Sequence, residues 1–234
     1  MMGASLLVPP RARGVEILDD PTVDAAVRER SLEDVARANA LFGGTSAVLA
    51  ELQLVLGDWT GARMTMLDAG SGLGDIAARA REAAAKAGVE LHAIGLDAAE
   101  ALARATARRA GGGVCGDALA LPFRDRCFDV VSCSQLLHHF ADADAARLLC
   151  ELNRVARVRV IVSDLLRHRL AVAGLWLASF PLRFHPVSRH DGVVSVLRGF
   201  TLEELKDSVV GAVGRVPDVR RRPGFRVTAS WIPA

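Results

Sequence analysis

The stretch Met64-Thr-Met-Leu-Asp68-Ala-Gly70-Ser71-Gly72-Leu-Gly74-Asp75 constrains this chain more than any other. A short apolar run leads into three alternating glycines and then into an alanine-rich segment of helical composition. Gly70 and Gly72 let the backbone turn tightly and approach a ligand where a Cβ would collide. The helix that follows presents unpaired N–H groups and the positive end of its dipole. A strand, a tight turn and a helix in that order build a parallel sheet with a ligand site at the turn. The spacing narrows the ligand. A dinucleotide fingerprint wants a third glycine three residues after Gly72, where Asp75 stands, and an acid there repels a pyrophosphate. No Lys-Ser/Thr follows the glycines, so a P-loop fails too. The loop suits a nucleoside without phosphates.

The flanking sequence keeps the same rhythm. Apolar runs at 64–67, 91–95, 114–115, 129–133 and 158–163 alternate with helical stretches at 74–87, 100–109 and 143–156. Such alternation predicts an α/β fold, a doubly wound and mostly parallel sheet of seven strands with helices on both faces. Ahead of it, residues 1–60 form a helical cap. Thr22 and Asp24 precede a helical segment, Ser31 and Asp34 have capping-box spacing for a helix over 31–41, and a second helix covers 46–56. The main domain is expected over 61–234, interrupted at about 166–200 by a helical lid insertion containing Pro181, Pro186 and a polar turn. Thr201 and Glu204 cap the next helix, and 216–222 and 225–232 read as two strands joined at Pro223-Gly224.

Composition excludes several functions. Of 234 residues 51% are apolar, enough for a core without staples, and 29 basic against 27 acidic residues leave +2. That balance, with no Tyr, 8 Phe and 3 Trp, leaves little to grip phosphates or stack bases, so no nucleic-acid partner is expected. Arg220-Arg221-Arg222 reads as an exposed strand edge defended by charge. Cys115, Cys127, Cys133 and Cys150 show no paired spacing and suit free thiols in a reducing cytoplasm. Residues 1–10 lack the basic start of a signal peptide. The uncharged stretch from Leu170 to Leu182 is 13 residues, short of the roughly 20 that span a bilayer. The expectation is a cytoplasmic protein without a membrane partner, a monomer or a homodimer.

Two more acids stand where a nucleoside needs them. Asp97 ends the second strand, where a carboxylate accepts hydrogen bonds from both ribose hydroxyls. Asp117 follows the third and suits an adenine amino group. Asp68-Ala-Gly70-Ser-Gly72-Leu-Gly74, Gly95-Leu-Asp97, Gly116-Asp117-Ala118-Leu-Ala-Leu-Pro122-Phe and Phe128-Asp129-Val-Val-Ser-Cys-Ser134, in that order, resemble the class I S-adenosylmethionine-dependent methyltransferases. The resemblance implies a Rossmann-like methyltransferase fold with S-adenosylmethionine as cofactor. It also implies that Gly70, Ser71 and Gly72 wrap the methionine part, Asp97 and Ala98 the ribose, and Asp117 and Ala118 the adenine. Ser134 would lie by the sulfonium end, and Asp68 would orient the loop or meet the ligand's ammonium group.

Within that group Leu136-Leu-His138-His139-Phe140 is similar to small-molecule enzymes of the ubiquinone and menaquinone type. Arg189-His190-Asp191-Gly192 resembles a bacterial branch found with polyketide synthases. These likenesses imply a small, apolar or aromatic acceptor, with O-methylation favoured over C-methylation. Where some quinone-pathway relatives carry Glu, this chain has Gln135 and His138, so no metal is expected. Methyl transfer is mainly positioning, and a base helps only a protonated acceptor. His139 is the expected base, because neighbouring residues of a starting helix diverge by about 100° and only one faces the pocket. His190, oriented by Asp191, is the second candidate. The competing readings are an NAD-dependent oxidoreductase, which Asp75 disfavours, a non-catalytic adenosine-binding protein, and an RNA or protein methyltransferase.

Overall fold

The computed structural model describes residues 6–12, 14–20 and 22–233. Residues 1–5, weighed above as the start of a leader, lie outside that set. In chain order the elements are α1 (Ala25–Leu41), α2 (Gly44–Gly57), β1 (Arg63–Ala69), α3 (Asp75–Lys86), β2 (Glu90–Asp97), α4 (Glu100–Ala110), β3 (Gly113–Cys115) and β4 (Phe128–Ser134). There follow α5 (Asp142–Val155), β5 (Ala156–Leu165), α6 (Arg169–Ser179), α7 (Pro186–Arg198), α8 (Leu202–Val213), β6 (Asp218–Arg222) and β7 (Arg226–Trp231). Single 3₁₀ turns cover Ile17–Asp19 and Leu137–His139.

The strands form one seven-stranded sheet in the order β3-β2-β1-β4-β5-β7-β6. It is parallel throughout except that β7 runs antiparallel to both β5 and β6. Alternation along the strands supplies two cores, because successive side chains point to opposite faces. Met64 and Met66 of β1, Val130 of β4 and Ile161 of β5 pack with α2 and α3 through Val48, Leu52, Ala77 and Ala80. Leu67 and Ala69, Val131 and Cys133, and Val160 and Val162 face the other way, onto Leu148, Leu149 and Leu152 of α5 and Leu205 and Val209 of α8. Helix α2 therefore shares the sheet's own core, across the expected boundary near residue 60.

Two local expectations are corrected. The first helix is continuous from Ala25, and the Asp24 carboxylate caps it by accepting the Ala26 and Val27 N–H groups. Ser31 is buried inside that helix, so its capping-box spacing with Asp34 was coincidental. The charged segment at 189–192 is not a turn but part of α7, which Pro186 opens in the first turn, where its missing N–H costs nothing. Thr201 and Glu204 do form the reciprocal capping box at the head of α8. Among the described residues no single helix is long and apolar enough to cross a membrane, and all four cysteines are free thiols.

The triple arginine lies on the edge strand β6 with Arg221 exposed, as expected, but Arg220 and Arg222 also take a further role. Glu51 of α2 is buried against the terminal hairpin, accepting from Thr228 Oγ1 at 2.5 Å and Arg222 Nη2 at 2.6 Å, with Arg220 Nη1 at 3.4 Å. Burial alone would raise its pKa, but the Thr228 and Arg222 hydrogen bonds hold it below the ordinary value. These arginines clamp a helix to the sheet edge. Glu51→Ala, which strands those donors, is expected to lower unfolding free energy in urea by about 3 kcal/mol near neutral pH. Because the native carboxylate has the depressed pKa, that difference should shrink as pH falls below the unfolded glutamate range.

Candidate functional site

The glycine turn sits where the sheet's connections reverse, at the carboxyl ends of β1 and β4. Open α/β sheets bind ligands at such a point. The N–H groups of Gly70 and Ser71 both donate to the Leu96 carbonyl, at 2.8 and 3.0 Å, which draws the turn toward β2. Thr106 of α4 locks it from behind, with Oγ1 3.0 Å from Ser71 Oγ and 3.1 Å from the Gly72 carbonyl. At Gly74 a Cβ would stand 2.8 Å from the Thr106 Cα, so glycine is required there. Gly72, at φ +54°, has no heavy atom within 4 Å of its would-be Cβ and borders open space. Asp75 is tied to α2 through Thr45 Oγ1 at 2.8 Å.

The sequence-identified acids gather around this turn. Asp97 Oδ2 accepts the Gly72 N–H and Oδ1 the Ala99 N–H, both at 3.0 Å, leaving lone pairs for further donors. Asp117 is exposed, braced by the Leu119 N–H at 2.8 Å, with Ala118 buried beside it. Asp68 and Ser132 are register partners across β1 and β4, and Ser132 Oγ donates to Asp68 Oδ1 at 2.6 Å. Asp68 Oδ2 and Ser134 Oγ are buried and have no partner among the described residues. Orphaned buried polar atoms need an explanation, and a polar ligand lying across the two strand ends supplies one.

Beyond Gln135 opens a separate, mostly apolar cavity of about 480 Å³. Its walls come from α1, α6, α7, the Leu137–His139 turn and the end of the terminal hairpin. The roof is held by carboxylates. Asp34 accepts the His185 N–H at 2.7 Å and Ser188 Oγ at 2.9 Å, pinning α1 to α7. Asp191 accepts the Ile17 and Leu18 N–H groups at 2.8 and 2.9 Å.

Residues 67–162 match the family model described as a methyltransferase domain. Similar solved structures include the plantazolicin methyltransferase BpumL in complex with SAH (12% identity, 91% of each chain, TM-score 0.66). The magnesium protoporphyrin IX methyltransferase ChlM from Synechocystis PCC 6803 with bound SAH covers 92% of this chain and 90% of its own, at 15% identity and TM-score 0.53. A possible histamine N-methyltransferase from Thermotoga maritima covers 88% and 97%, at 19% identity and TM-score 0.56. No curated protein matches the sequence. Residues 67–162 are thus a methyltransferase domain, and the chain shares its fold with S-adenosylmethionine-dependent methyltransferases.

Both histidines of the Leu137–His139 turn line the cavity, in different settings. His138 is buried and donates from Nδ1 to Asp164 Oδ1 at 2.6 Å, while its backbone N–H donates to Asp164 Oδ2 at 3.1 Å. Burial would raise the Asp164 pKa, but the His138 charge and hydrogen bond, with the Leu165 N–H, hold it low. His138 Nε2 is buried without a hydrogen-bond partner, with Glu16 Oε1 4.0 Å away. His139 stacks on His138 at 4.3 Å between ring centroids, and its Nδ1 lies 3.4 Å from Arg198 Nη1. Desolvation and the adjacent His138 push the His139 pKa down to about 4. Donor atoms of Glu16, His138 and His139 lie within 4.8 Å of one another, a spacing that could hold a metal. The Arg198 guanidinium already takes Glu16 at 3.1 Å.

His190 requires a correction. Its side chain is 51% exposed, bonds Asp191 at 2.9 Å and does not line the cavity. On a helix it faces away while Gly192 and Ser195 face in, and Asp191 braces the N-terminal segment as well as bonding His190. Sequence reasoning also missed Asp164, Glu16 and Asp34. Asp164 had a signal: like Asp68 and Asp97, it is an acid at the carboxyl end of an apolar strand.

Burial, against the Ser132 hydrogen bond and with Asp75 and Asp97 nearby, raises the Asp68 pKa from 3.8 to about 7. The folded chain thus retains a proton that the unfolded chain has lost, so stability should fall as pH rises from about 4 to 7 and then level off. Asp68→Asn is expected to flatten that melting profile. At pH 8 it should be more stable than the parent by an amount on the order of 3 kcal/mol.

Proposed function

We propose that this methyltransferase transfers its methyl group to a hydroxyl of a small, largely apolar or aromatic acceptor bound in the 480 Å³ cavity. The cosubstrate, when bound, supplies an electrophilic methyl group on a sulfonium. Gly70, Ser71 and Gly72 would wrap its methionine part, Asp97 and Ala98 its ribose, and Asp117 and Ala118 its adenine. Ser134 and the Asp68 carboxylate would face its amino-acid end. The orphaned Asp68 Oδ2 supports this assignment, because an ammonium placed there would stabilise the ionised acid.

The observation that carries the acceptor chemistry is the His138–Asp164 pair. In neutral imidazole the Nδ1–H donated to Asp164 leaves the lone pair on Nε2, which accepts no hydrogen bond in the cavity wall and has Glu16 Oε1 4.0 Å away. His138 would take the acceptor's hydroxyl proton at Nε2, and Asp164 would orient the ring and stabilise the imidazolium. We infer this role for His138 rather than His139, whose lowered pKa leaves little proton affinity. Apolar walls such as Leu32, Val35, Leu175 and Phe184 exclude water from the transfer. The α6–α7 insertion would act as the lid over the acceptor. A polyketide- or quinone-like acceptor in natural-product biosynthesis fits these walls.

His138→Ala is expected to lower turnover at least about a hundredfold while S-adenosylhomocysteine affinity, read by calorimetry, changes less than about threefold. Asp164→Asn should lose less. His190→Ala should leave turnover within about twofold. A His138→Ala enzyme with near-parent turnover would exclude the base role.

A further inference from the structure

The charged groups around the acceptor cavity are unequally partnered. Each carboxylate in the wall is engaged: Glu16 by Ser195 Oγ at 2.8 Å and Arg198 at 3.1 Å, and Asp19 by Arg198 at 3.2 Å. Asp34 and Asp191 hold the roof, as above. Arg226 is the exception. It lines the same cavity at the start of β7, only 3% exposed. Nε donates to the Phe42 carbonyl at 3.1 Å and Nη1 to Gln135 Oε1 at 2.9 Å, both uncharged acceptors. Nη2 has no acceptor among the described residues, and no carboxylate there lies within ion-pair distance. Asp164 acts on it only at longer range and is committed to His138.

Burying a charge without a counter-ion costs several kcal/mol, so a buried guanidinium facing a cavity calls for an anion. The support around it is rigid. Gln135, in the left-handed region at φ +54°, is itself held by Asn39, to which Nε2 donates at 2.6 Å. Phe225, at φ +56°, fixes the backbone just before Arg226. A planar fork with free N–H groups matches a carboxylate better than a single hydroxyl. No glycine-loop residue lines this cavity, which assigns the anion to the acceptor rather than to the cosubstrate.

We infer that the acceptor carries a carboxylate that pairs with Arg226, so that the enzyme selects apolar, aromatic acids over their neutral counterparts. This rests on the cavity being the acceptor site of the methyl transfer. The same arrangement disfavours cationic acceptors.

The test is calorimetric titration of the full chain with three matched pairs: benzoate, 2-naphthoate and 2-anthroate, each against its methyl ester. Titrations run with and without saturating S-adenosylhomocysteine. In at least one ring size the acid is expected to bind about tenfold or more tighter than the ester. Arg226→Gln should level the two while S-adenosylhomocysteine affinity stays within about twofold, and Arg226→Lys should retain part of the preference. Esters binding as well as acids in every size would overturn the inference, as would no measurable binding of any acid. So would an Arg226→Gln protein that loses S-adenosylhomocysteine as severely as it loses the acid. If Arg226→Gln does not fold, the acid–ester comparison on the parent protein decides alone. Failure of the parent to bind S-adenosylhomocysteine would instead strike the methyl-transfer reading, and the titrations without it report the acid preference separately.

Discussion

The Leu96 carbonyl receives the N–H groups of both Gly70 and Ser71, and that shared acceptor sets the geometry of the site. It pulls the end of β1 toward β2 and turns the chain away from β4, so a crevice opens between the two central strands. Asp68 and Ser134 from the strands, Asp97 across the turn and the head of α3 then face one place. Thr106 closes the turn from behind, and the absence of a Cβ at Gly74 allows α4 to approach that closely. A turn held from two sides is preorganised, so binding need not order it.

The cavity beyond Gln135 is built on a different principle. Its floor is the carboxyl end of β4 and β5, but its walls are helices that touch the sheet only in part. What joins them is a set of buried carboxylates accepting backbone N–H groups from distant segments, Asp34 from α7 and Asp191 from the N-terminal 3₁₀ turn. Hydrogen bonds to carboxylates are stronger than neutral ones, which suits a roof whose helices reach the sheet only in part. The charged groups left over inside are the His138–Asp164 pair and Arg226.

The grouping of residues around the glycine turn was legible because its geometry is local. Gly70 to Asp75, Asp97 and Asp117 each follow a strand directly, and strand ends of a parallel sheet meet at one edge. His190 and Ser31 show where such reasoning fails. His190 looked functional by its neighbours in sequence, yet the roughly 100° that separates successive helical residues leaves it outside the cavity that Asp191 and Gly192 line. Ser31 had the spacing of a cap, but Asp24 had already started the helix.

From the residues alone came the alternating α/β order, the glycine turn and the ligand class it admits, because strand period, turn chemistry and helix dipole act over a few neighbouring residues. Only the tertiary structure paired Asp164 with His138, drew Glu51 to the arginine strand, and left Arg226 buried without a counter-ion. Each of those joins residues 26 or more apart in the chain, or sets a residue by what fails to reach it, and packing of distant segments decides both.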